Sequence, residues 1–266
     1  MKKIILILTV VLTQQYSVNC QSLSPHVLAT AGGYFAAGGS SLSWTMGETF
    51  NTTLQNGSVI LTQGQQQPYV QLTILNLKVF IEGYYLGGGL MSNCLNITGV
   101  SGDPLDADVV TISAMDVAPP HNLVEAQVGT LKTNGDVTVT FSSLVIPNTS
   151  YYIKVNHRNS VETWSANPVV LTTSTMYSFA SSASQASGNN QVITFDALYA
   201  AIYSGDINQD MAIDISDFLD LDPSVQAGDG GYLSGDINGD ASVDVTDFLI
   251  LDPNIQNGIG ASPPSP

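Results

Sequence analysis

Two acidic stretches near the C-terminus place oxygen-bearing side chains at the same spacing. "GDINQDMAIDISDFL" begins at Gly205 and "GDINGDASVDVTDFL" begins thirty residues later at Gly235. Calcium takes six to eight oxygen ligands, and a twelve-residue loop can supply them from positions 1, 3, 5, 7, 9 and 12, with a main-chain carbonyl at position 7. Both stretches carry Asp or Asn at every side-chain position of this pattern. The sequence therefore predicts two calcium sites.

The predicted ligands form two equivalent sets. The first loop, residues 206–217, contributes Asp206, Asn208, Asp210, the carbonyl of Ala212, Asp214 and Asp217. The second loop, residues 236–247, contributes Asp236, Asn238, Asp240, the carbonyl of Ser242, Asp244 and Asp247. Four carboxylates in each loop repel one another without a cation, so we expect loop closure and calcium binding to be one event. Two roles stay open for the ion: a structural clamp, or the ordering of a docking surface.

A helical pattern follows each loop. Its apolar residues fall at i, i+3 and i+7 and predict two stripes that face each other: Phe218, Leu221 and Val225, and then Phe248, Leu251 and Ile255. The residue before a proline avoids the helical region, so each helix is predicted to break at Asp222-Pro223 or Asp252-Pro253. Position 8 of each loop holds an apolar residue, Ile213 or Val243, which is expected to turn inward.

The two segments together resemble the calcium-loop-and-helix repeats of type I dockerins, which dock secreted enzymes onto cohesin-bearing scaffolds. The resemblance covers roughly the last quarter of the chain. It implies the ligands given above, calcium as the cofactor of both sites, and a cohesin-like protein partner. Position 6 departs from the family pattern, because Met211 and Ala241 stand where Gly usually provides a positive φ; a non-Gly residue there costs about 1–2 kcal/mol. The thirty-residue spacing is also longer than is usual in dockerins.

The N-terminal residues have the pattern of an export signal. Lys2 and Lys3 precede an apolar run from Ile4 to Leu12, which is shorter than the about 20 residues that a membrane-spanning helix needs. Cleavage after Cys20 is the preferred interpretation, and a lipid anchor on Cys20 is the alternative. Both predict a secreted or cell-surface protein without a transmembrane segment.

The charge balance is strongly acidic. The chain has 22 acidic and 6 basic residues, and its net charge is −16. Twelve of the acidic residues lie between Asp206 and Asp252, where Lys and Arg do not occur. Such a field repels nucleic acid and anionic membranes and attracts cations. If Cys20 leaves with the signal, Cys94 has no partner and no intrachain disulfide can form.

Most of the chain between the signal and the loops has the pattern of β-strands. We expect a signal peptide at 1–20, a small β module at 21–70, an antiparallel β-sandwich at 71–198, the dockerin-like repeats at 199–260 and a disordered tail at 261–266. In the small module, Leu42, Trp44 and Met46 alternate with polar residues, and Asn56-Gly57 predicts the turn of a β-hairpin. The predicted fold class is mainly β, with a small α-helical pair at the end.

Both β segments resemble modules of secreted proteins. The small module is similar to a short N-terminal module of surface proteins from polymer-degrading bacteria. The middle segment, with six or seven short strands between turn clusters, resembles prealbumin-like or immunoglobulin-like modules. Its aromatic residues form either the core or a flat platform for an extracellular carbohydrate beside Arg158 and Glu162, and the candidates are Phe80, Tyr84, Tyr85, Tyr151, Tyr152 and Trp164.

Recognisable catalytic motifs do not accompany the loops. His26, His121 and His157 are far apart in the sequence and lie in no metal-binding pattern, and the sequence contains neither a G-x-S-x-G motif nor a phosphate loop. A glycosidase needs only two carboxylates, so the sequence leaves that activity open. The favoured interpretation is a non-catalytic calcium-binding protein whose β domains display or bind a ligand. The alternative is an accessory or catalytic component of extracellular polysaccharide degradation, tethered by cohesin–dockerin docking.

Overall fold

The computed structural model describes residues 72–265 in full and, before them, residues 31–37, 40–46, 53–56 and 59–62. The chain divides into two compact units, Met1–Tyr69 and Val70–Pro266. In the first unit, strand β1 (Ala31–Ala37) pairs antiparallel with β2 (Ser40–Met46), and β3 (Thr53–Asn56) pairs antiparallel with β4 (Val59–Thr62). The predicted signal peptide and Cys20 lie outside the described residues.

The predicted hairpin in the first unit corresponds to strands β3 and β4. Asn56 is paired with Val59, so Asn56 belongs to the strand and the connecting residues are Gly57 and Ser58. The prediction of Asn56-Gly57 as the two central turn residues is therefore wrong by one position. The turn residues themselves lie outside the described part of the chain.

The strands of the second unit are β5 (Thr73–Lys78), β6 (Tyr85–Gly87), β7 (Leu90–Met91), β8 (Asp106–Met115), β9 (Leu123–Lys132), β10 (Asp136–Phe141), β11 (Thr149–His157), β12 (Ser160–Trp164), β13 (Val169–Leu171), β14 (Ser174–Ser178), β15 (Val192–Ile193) and β16 (Ala200–Ala201). Two short pairs, β6 with β7 and β15 with β16, form separate two-stranded sheets. The two larger sheets form the sandwich: one has the strand order β10-β5-β14, and the other has the order β12-β11-β8-β9 with β13 beside β11. A short helix α1 (Cys94–Ile97) follows β7.

The core of the second unit lies between these sheets. Leu75 and Leu77 from one sheet and Ile112 and Ile153 from the other are buried in a single apolar cluster, as the alternation of inward and outward side chains along strands requires. The mainly β prediction is confirmed. The sandwich is not purely antiparallel, however, because β14 runs parallel to β5. The chain crosses from β13 in one sheet to β14 in the other. Strand β14 therefore runs in the opposite direction to the one expected for an antiparallel sheet.

Two helices lie in the C-terminal part, α2 (Ile215–Ala227) and α3 (Val245–Gln256). Each continues through its proline, so the predicted break is wrong. A proline has no N–H group to donate to the carbonyl four residues earlier. In these helices that carbonyl belongs to Leu219 or Leu249, and both residues lie on the solvent-exposed side. In α2 the amide of Gln226 also donates to Asp222 Oδ2 at 2.5 Å and spans the proline; Gln256 does the same to Asp252 in α3 at 2.6 Å.

Each loop pairs with the segment that follows the helix of the other repeat. Ile213 N donates to Ile259 O at 2.7 Å in the first loop, and Val243 N donates to Asp229 O at 2.9 Å in the second. Ala261 N also donates to Met211 O at 2.7 Å, and Pro264 is buried. The prediction of a disordered tail is thus wrong for residues 261–265. No helix in the described part of the chain is long and apolar enough to cross a bilayer.

Candidate metal-binding loops

The carboxylate at position 12 closes each loop. Asp217 Oδ1 accepts hydrogen bonds from the backbone N–H groups of Ile207 at 2.7 Å and Asn208 at 3.2 Å, and its Oδ2 accepts from Asp214 N at 2.9 Å. Asp247 makes the same three contacts in the second loop. The side chain at the start of each helix therefore joins the beginning of the loop to its end.

The carboxylate at position 1 organises the middle of each loop. Asp206 accepts from the N–H groups of Asp210 at 3.1 Å and Met211 at 3.2 Å, and Asp236 makes the equivalent contacts at 3.0 and 3.1 Å. The turn at position 6 has the expected positive φ, 77° at Met211 and 72° at Ala241. The apolar residues at position 8, Ile213 and Val243, are 1% exposed, which confirms that they turn inward.

Position 9 serves the helix as well as the loop. Asp214 and Asp244 are the N-caps of α2 and α3, and each forms a capping box with the Asp at position 12. The hydrogen bonds from the side chain and backbone of Ser216 lower the pKa of Asp214, and those from Thr246 lower the pKa of Asp244. Loop and helix thus share one hydrogen-bond network.

Positions 3 and 5 are held on the exposed side of each loop. Asn208 Nδ2 donates to Asp210 Oδ2 at 3.1 Å and to Ser216 Oγ at 2.7 Å. Asn238 makes the same pair of contacts with Asp240 and Thr246. The amide side chain fixes the position-5 carboxylate, whose other oxygen accepts the N–H of residue 212 or 242.

Negative charge is concentrated and buried in both loops. The carboxylates at positions 1 and 12, those of Asp206, Asp217, Asp236 and Asp247, are 0–2% exposed. Burial raises the pKa of Asp206 to about 6, and the carboxylate of Asp217 adds to this effect; burial also raises the pKa of Asp247 to about 6. Within residues 72–265, Asp236 alone of the four faces a basic side chain. An oxygen-lined region of this charge suits a hard divalent cation.

The carboxylates do not yet have the arrangement of a metal centre. Among residues 72–265, no three His, Cys, Asp or Glu side chains lie together in a group that could hold a metal ion. The reason is visible in the hydrogen bonds, because the carboxylate oxygens at positions 1, 5, 9 and 12 are turned toward backbone N–H groups of their own loop. The predicted set also relies on an Asn and a main-chain carbonyl in each loop. The structure therefore brings the twelve predicted residues into two closed loops, with their calcium coordination still a prediction.

A polar cluster with a buried centre at Asp108 and His157 connects the second loop to the sandwich. We call it the polar hub, and it consists of Tyr84, Asp108, His157, Arg158 and Tyr232. Asp108 Oδ2 accepts from Tyr84 OH at 2.6 Å and from Arg158 Nε at 3.0 Å, and its Oδ1 accepts from Tyr232 OH at 2.5 Å. Arg158 also donates to Tyr84 OH and to the carbonyl of Leu233, just before the second loop.

Asp108 carries the negative charge of the hub. Burial alone would raise its pKa, but His157 and the guanidinium of Arg158 together hold the pKa of this carboxyl well below its usual range. His157 Nε2 lies 3.0 Å from Asp108 Oδ2, in an orientation that does not meet hydrogen-bond geometry. The contact joins two fully buried side chains.

Three hub-related residues have the identities of a catalytic triad without its accessibility. His157 Nδ1 lies 2.9 Å from Ser160 Oγ, and His157 Nε2 faces Asp108. Ser160 and Asp108 are completely buried and His157 is 2% exposed, so a substrate could not reach the hydroxyl. These residues tie strands β8, β11 and β12 together.

Of the two interpretations of the aromatic residues, the core is observed and the flat platform is not. Tyr152 is half-buried, whereas Phe80, Tyr84, Tyr85, Tyr151 and Trp164 are all buried. Arg158 belongs to the polar hub rather than to an outer ligand-binding face, and Glu162 pairs with Lys154 at 3.0 Å. Strand alternation allowed both interpretations, and packing in the core decided between them.

Few signals in the sequence point to the contacts that support the second loop. Cys94 is buried and free, with its Sγ 3.6 Å from Asp236 Oδ2, and burial raises its pKa to about 11. One signal was available: at position 4 the second loop has Gly239 where the first has Gln209. In an otherwise repeated pattern, a single Gly indicates that something approaches the backbone closely.

The sequence matches no protein-family model and no curated protein. Among solved structures, the fold is similar to a crystal structure of an N-terminal interface mutant of a type II cohesin–X–dockerin complex from Acetivibrio cellulolyticus, at 14% sequence identity. The similarity covers 69% of this chain and 95% of that chain, with a TM-score of 0.41.

Proposed function

We propose that the C-terminal repeats bind two calcium ions and that the chain is a non-catalytic, secreted or cell-surface protein with β domains for display or ligand binding. The observation that carries this proposal is the repeated closed loop with carboxylates buried at positions 1 and 12. Burying an anion without a counter-ion is costly, and three of these four carboxylates face no basic side chain within residues 72–265. A cation in each loop offsets that cost.

Calorimetry on the full chain tests the calcium sites. We expect two binding events for Ca²⁺ and much weaker heat for Mg²⁺, which demands tighter octahedral geometry. Asp206→Asn should remove one event and Asp236→Asn the other, because each change removes a position-1 ligand. Asp136→Asn is the matched control, since Asp136 pairs with Lys78 on the surface of the sandwich. Unchanged heat in all variants, or none in the parent chain, would exclude the proposal.

The alternative is a component of extracellular polysaccharide degradation, tethered through its dockerin-like repeats to a cohesin-like partner. The exposed faces of the two helices favour a protein partner. Ile215 and Leu219 on α2, and Val245 and Leu249 on α3, are 61–66% exposed at equivalent positions of the repeats. Apolar residues four positions apart share one face of a helix, so each helix presents an apolar pair to solvent.

A binding experiment separates docking from display. The calcium-loaded chain is presented to a panel of purified cohesins of both types, and retention on insoluble polysaccharide is measured in parallel. Docking predicts capture by a cohesin that is lost in the double variant Leu219→Asp/Leu249→Asp. The control, Leu86→Asp, alters an apolar residue that is similarly exposed on strand β6 of the sandwich. Failure of every cohesin to bind would count against tethering and leave the calcium proposal intact.

A further inference from the structure

We infer that Arg158 and Asn159 are positioning residues for the second loop: the sandwich holds this loop closed before any cation binds, whereas the first loop depends on its cation for closure. The inference deepens the proposed calcium function and rests on it for its biological meaning. It comes from a difference between two loops whose internal hydrogen bonds are the same except for the one that Gln209 makes in the first loop.

Arg158 and Asn159 follow strand β11 and reach the main chain at the start of the second loop. Asn159 Nδ2 donates to Asp236 O at 2.8 Å and to Ser234 O at 3.2 Å, and Asn159 is completely buried. Arg158 Nη2 donates to the same Asp236 carbonyl at 3.4 Å and lies 3.9 Å from Asp236 Oδ2. A fixed positive charge therefore stands beside a carboxylate that would otherwise repel its neighbours.

The sandwich also contacts the far side of the second loop, at position 4. Ser92 Oγ donates to Gly239 O at 2.6 Å. A Cβ atom on Gly239 would lie 2.9 Å from the ring of Tyr84, and its φ of 72° is in the left-handed region. Position 4 must therefore be Gly in this loop, because the loop lies directly against an aromatic ring of the sandwich.

The first loop makes none of these contacts within residues 72–265. At position 4, Gln209 Nε2 donates to Asp206 O at 2.6 Å, and this is the carbonyl equivalent to the one that Asn159 serves in the second loop. The sandwich meets the first repeat ahead of the loop, where Gly205 N donates to Asn159 O at 2.7 Å. The position-1 carbonyl is thus supported by Gln209 in the first loop and by the sandwich in the second.

Because the second loop has more support than the first, we expect it to stay better ordered when calcium is removed. Closing the second loop sets four carboxylates against one another, but Arg158 compensates part of that charge, and hydrogen bonds from three side chains of the sandwich, Ser92, Arg158 and Asn159, hold the backbone. Closing the first loop offers no such compensation. The second site should therefore be preformed, and the first should form as its cation arrives.

Hydrogen exchange measured by mass spectrometry on the full chain tests this order, in chelator and then in calcium. In chelator, we expect amides of residues 236–247 to exchange about tenfold or more slowly than those of 206–217, because the second loop has buried hydrogen bonds to the sandwich that the first lacks. Calcium should slow the first loop strongly and the second only slightly. Equal exchange of both loops in chelator would overturn the inference.

Two variants localise the effect. Asn159→Ala should speed exchange of the second loop about tenfold in chelator and leave residues 206–217 unchanged. Gln209→Gly is the matched change in the first loop and should speed only that loop. Protection of the β8 and β11 amides reports whether the sandwich is intact. If Asn159→Ala unfolds the sandwich, the comparison of the two loops in the parent chain and the Gln209→Gly variant still test the inference. An Asn159→Ala effect of equal size in both loops would contradict positioning.

The same measurement separates the two proposals. If the loops differ in chelator and calcium changes neither, the calcium function fails while the positioning role stands. If both start equally unprotected and calcium protects them equally, the calcium function stands and the positioning role is overturned.

Discussion

The two calcium-loop candidates share most of their internal hydrogen bonds and differ mainly in their surroundings. Both are closed by an Asp at position 12 that accepts three backbone hydrogen bonds. The second loop also lies against the polar hub, whereas the first supports its own position-1 carbonyl through Gln209. Local sequence therefore determines how such a loop folds, and tertiary neighbours determine how much of that fold depends on an ion.

The largest expected effect comes from removing the charge at the centre of the hub. Asp108→Asn removes the anion to which the partly buried guanidinium of Arg158 is hydrogen-bonded and leaves it only the more distant Asp236; breaking a buried pair costs about 3–5 kcal/mol. Urea denaturation should register this loss. Asp136→Asn, at an exposed pair with Lys78, should cost less than about 1 kcal/mol. Similar losses in both variants would show that the second loop gains nothing special from the hub.

Calcium itself should stabilise the chain by a smaller amount. With dissociation constants near 10⁻⁴ M and about 1 mM ion, two sites contribute about 3 kcal/mol, which corresponds to a rise in Tm of about 6–12 °C for a unit of this size. Thermal unfolding with calcium and with chelator measures the shift. Asp206→Asn should remove about half of it. A shift unaffected by that change would place the binding elsewhere.

Acid should weaken the support of the second loop through Asp108. Its pKa in the folded chain is below the unfolded value of about 3.9, so its contribution is fully present above that value and is lost as the pH falls toward the folded pKa. The unfolding free energy of the parent chain should therefore drop more steeply between about pH 4 and 2 than that of Asp108→Asn. Parallel curves would contradict the assignment.

The smallest expected effect tests a feature that the loops share. Met211→Gly and Ala241→Gly should each stabilise the folded chain by about 0.5–1 kcal/mol, because relief of the left-handed backbone exceeds the entropy cost of glycine. Ala212→Gly is the control, since Ala212 does not have a positive φ, and it should destabilise. Thermal unfolding of the three variants in calcium measures the differences. A gain in stability at only one of Met211 and Ala241 would mean that neighbouring residues, as well as the positive φ, determine the effect of a substitution at position 6.

Sequence reasoning succeeded where the interactions are local. The twelve-residue spacing and the positive φ at position 6 follow from contacts within one repeat. The inward-facing Ile213 and Val243 were found from their position in the loop pattern. The strands of the sandwich were likewise found from alternation, because each strand carries its own pattern of inward and outward residues.

Sequence reasoning failed where distant segments meet. Asp108 lies 124 residues from Tyr232 and 50 from Arg158, and a single sequence contains no sign of such pairs. The predicted break in each helix is wrong for a different reason. The proline rule describes a backbone preference, whereas Gln226 and Gln256 each span the proline with a side-chain hydrogen bond to the Asp four residues earlier.

The exchange of partners between the repeats has a consequence for their origin and use. Each loop completes its backbone pairing with the stretch beyond the other's helix, through Ile213 with Ile259 and Val243 with Asp229. A lone repeat would lack that stretch and would have to borrow it from a second molecule. The tandem copy completes within one polypeptide a pairing that single repeats could complete only as a symmetric dimer.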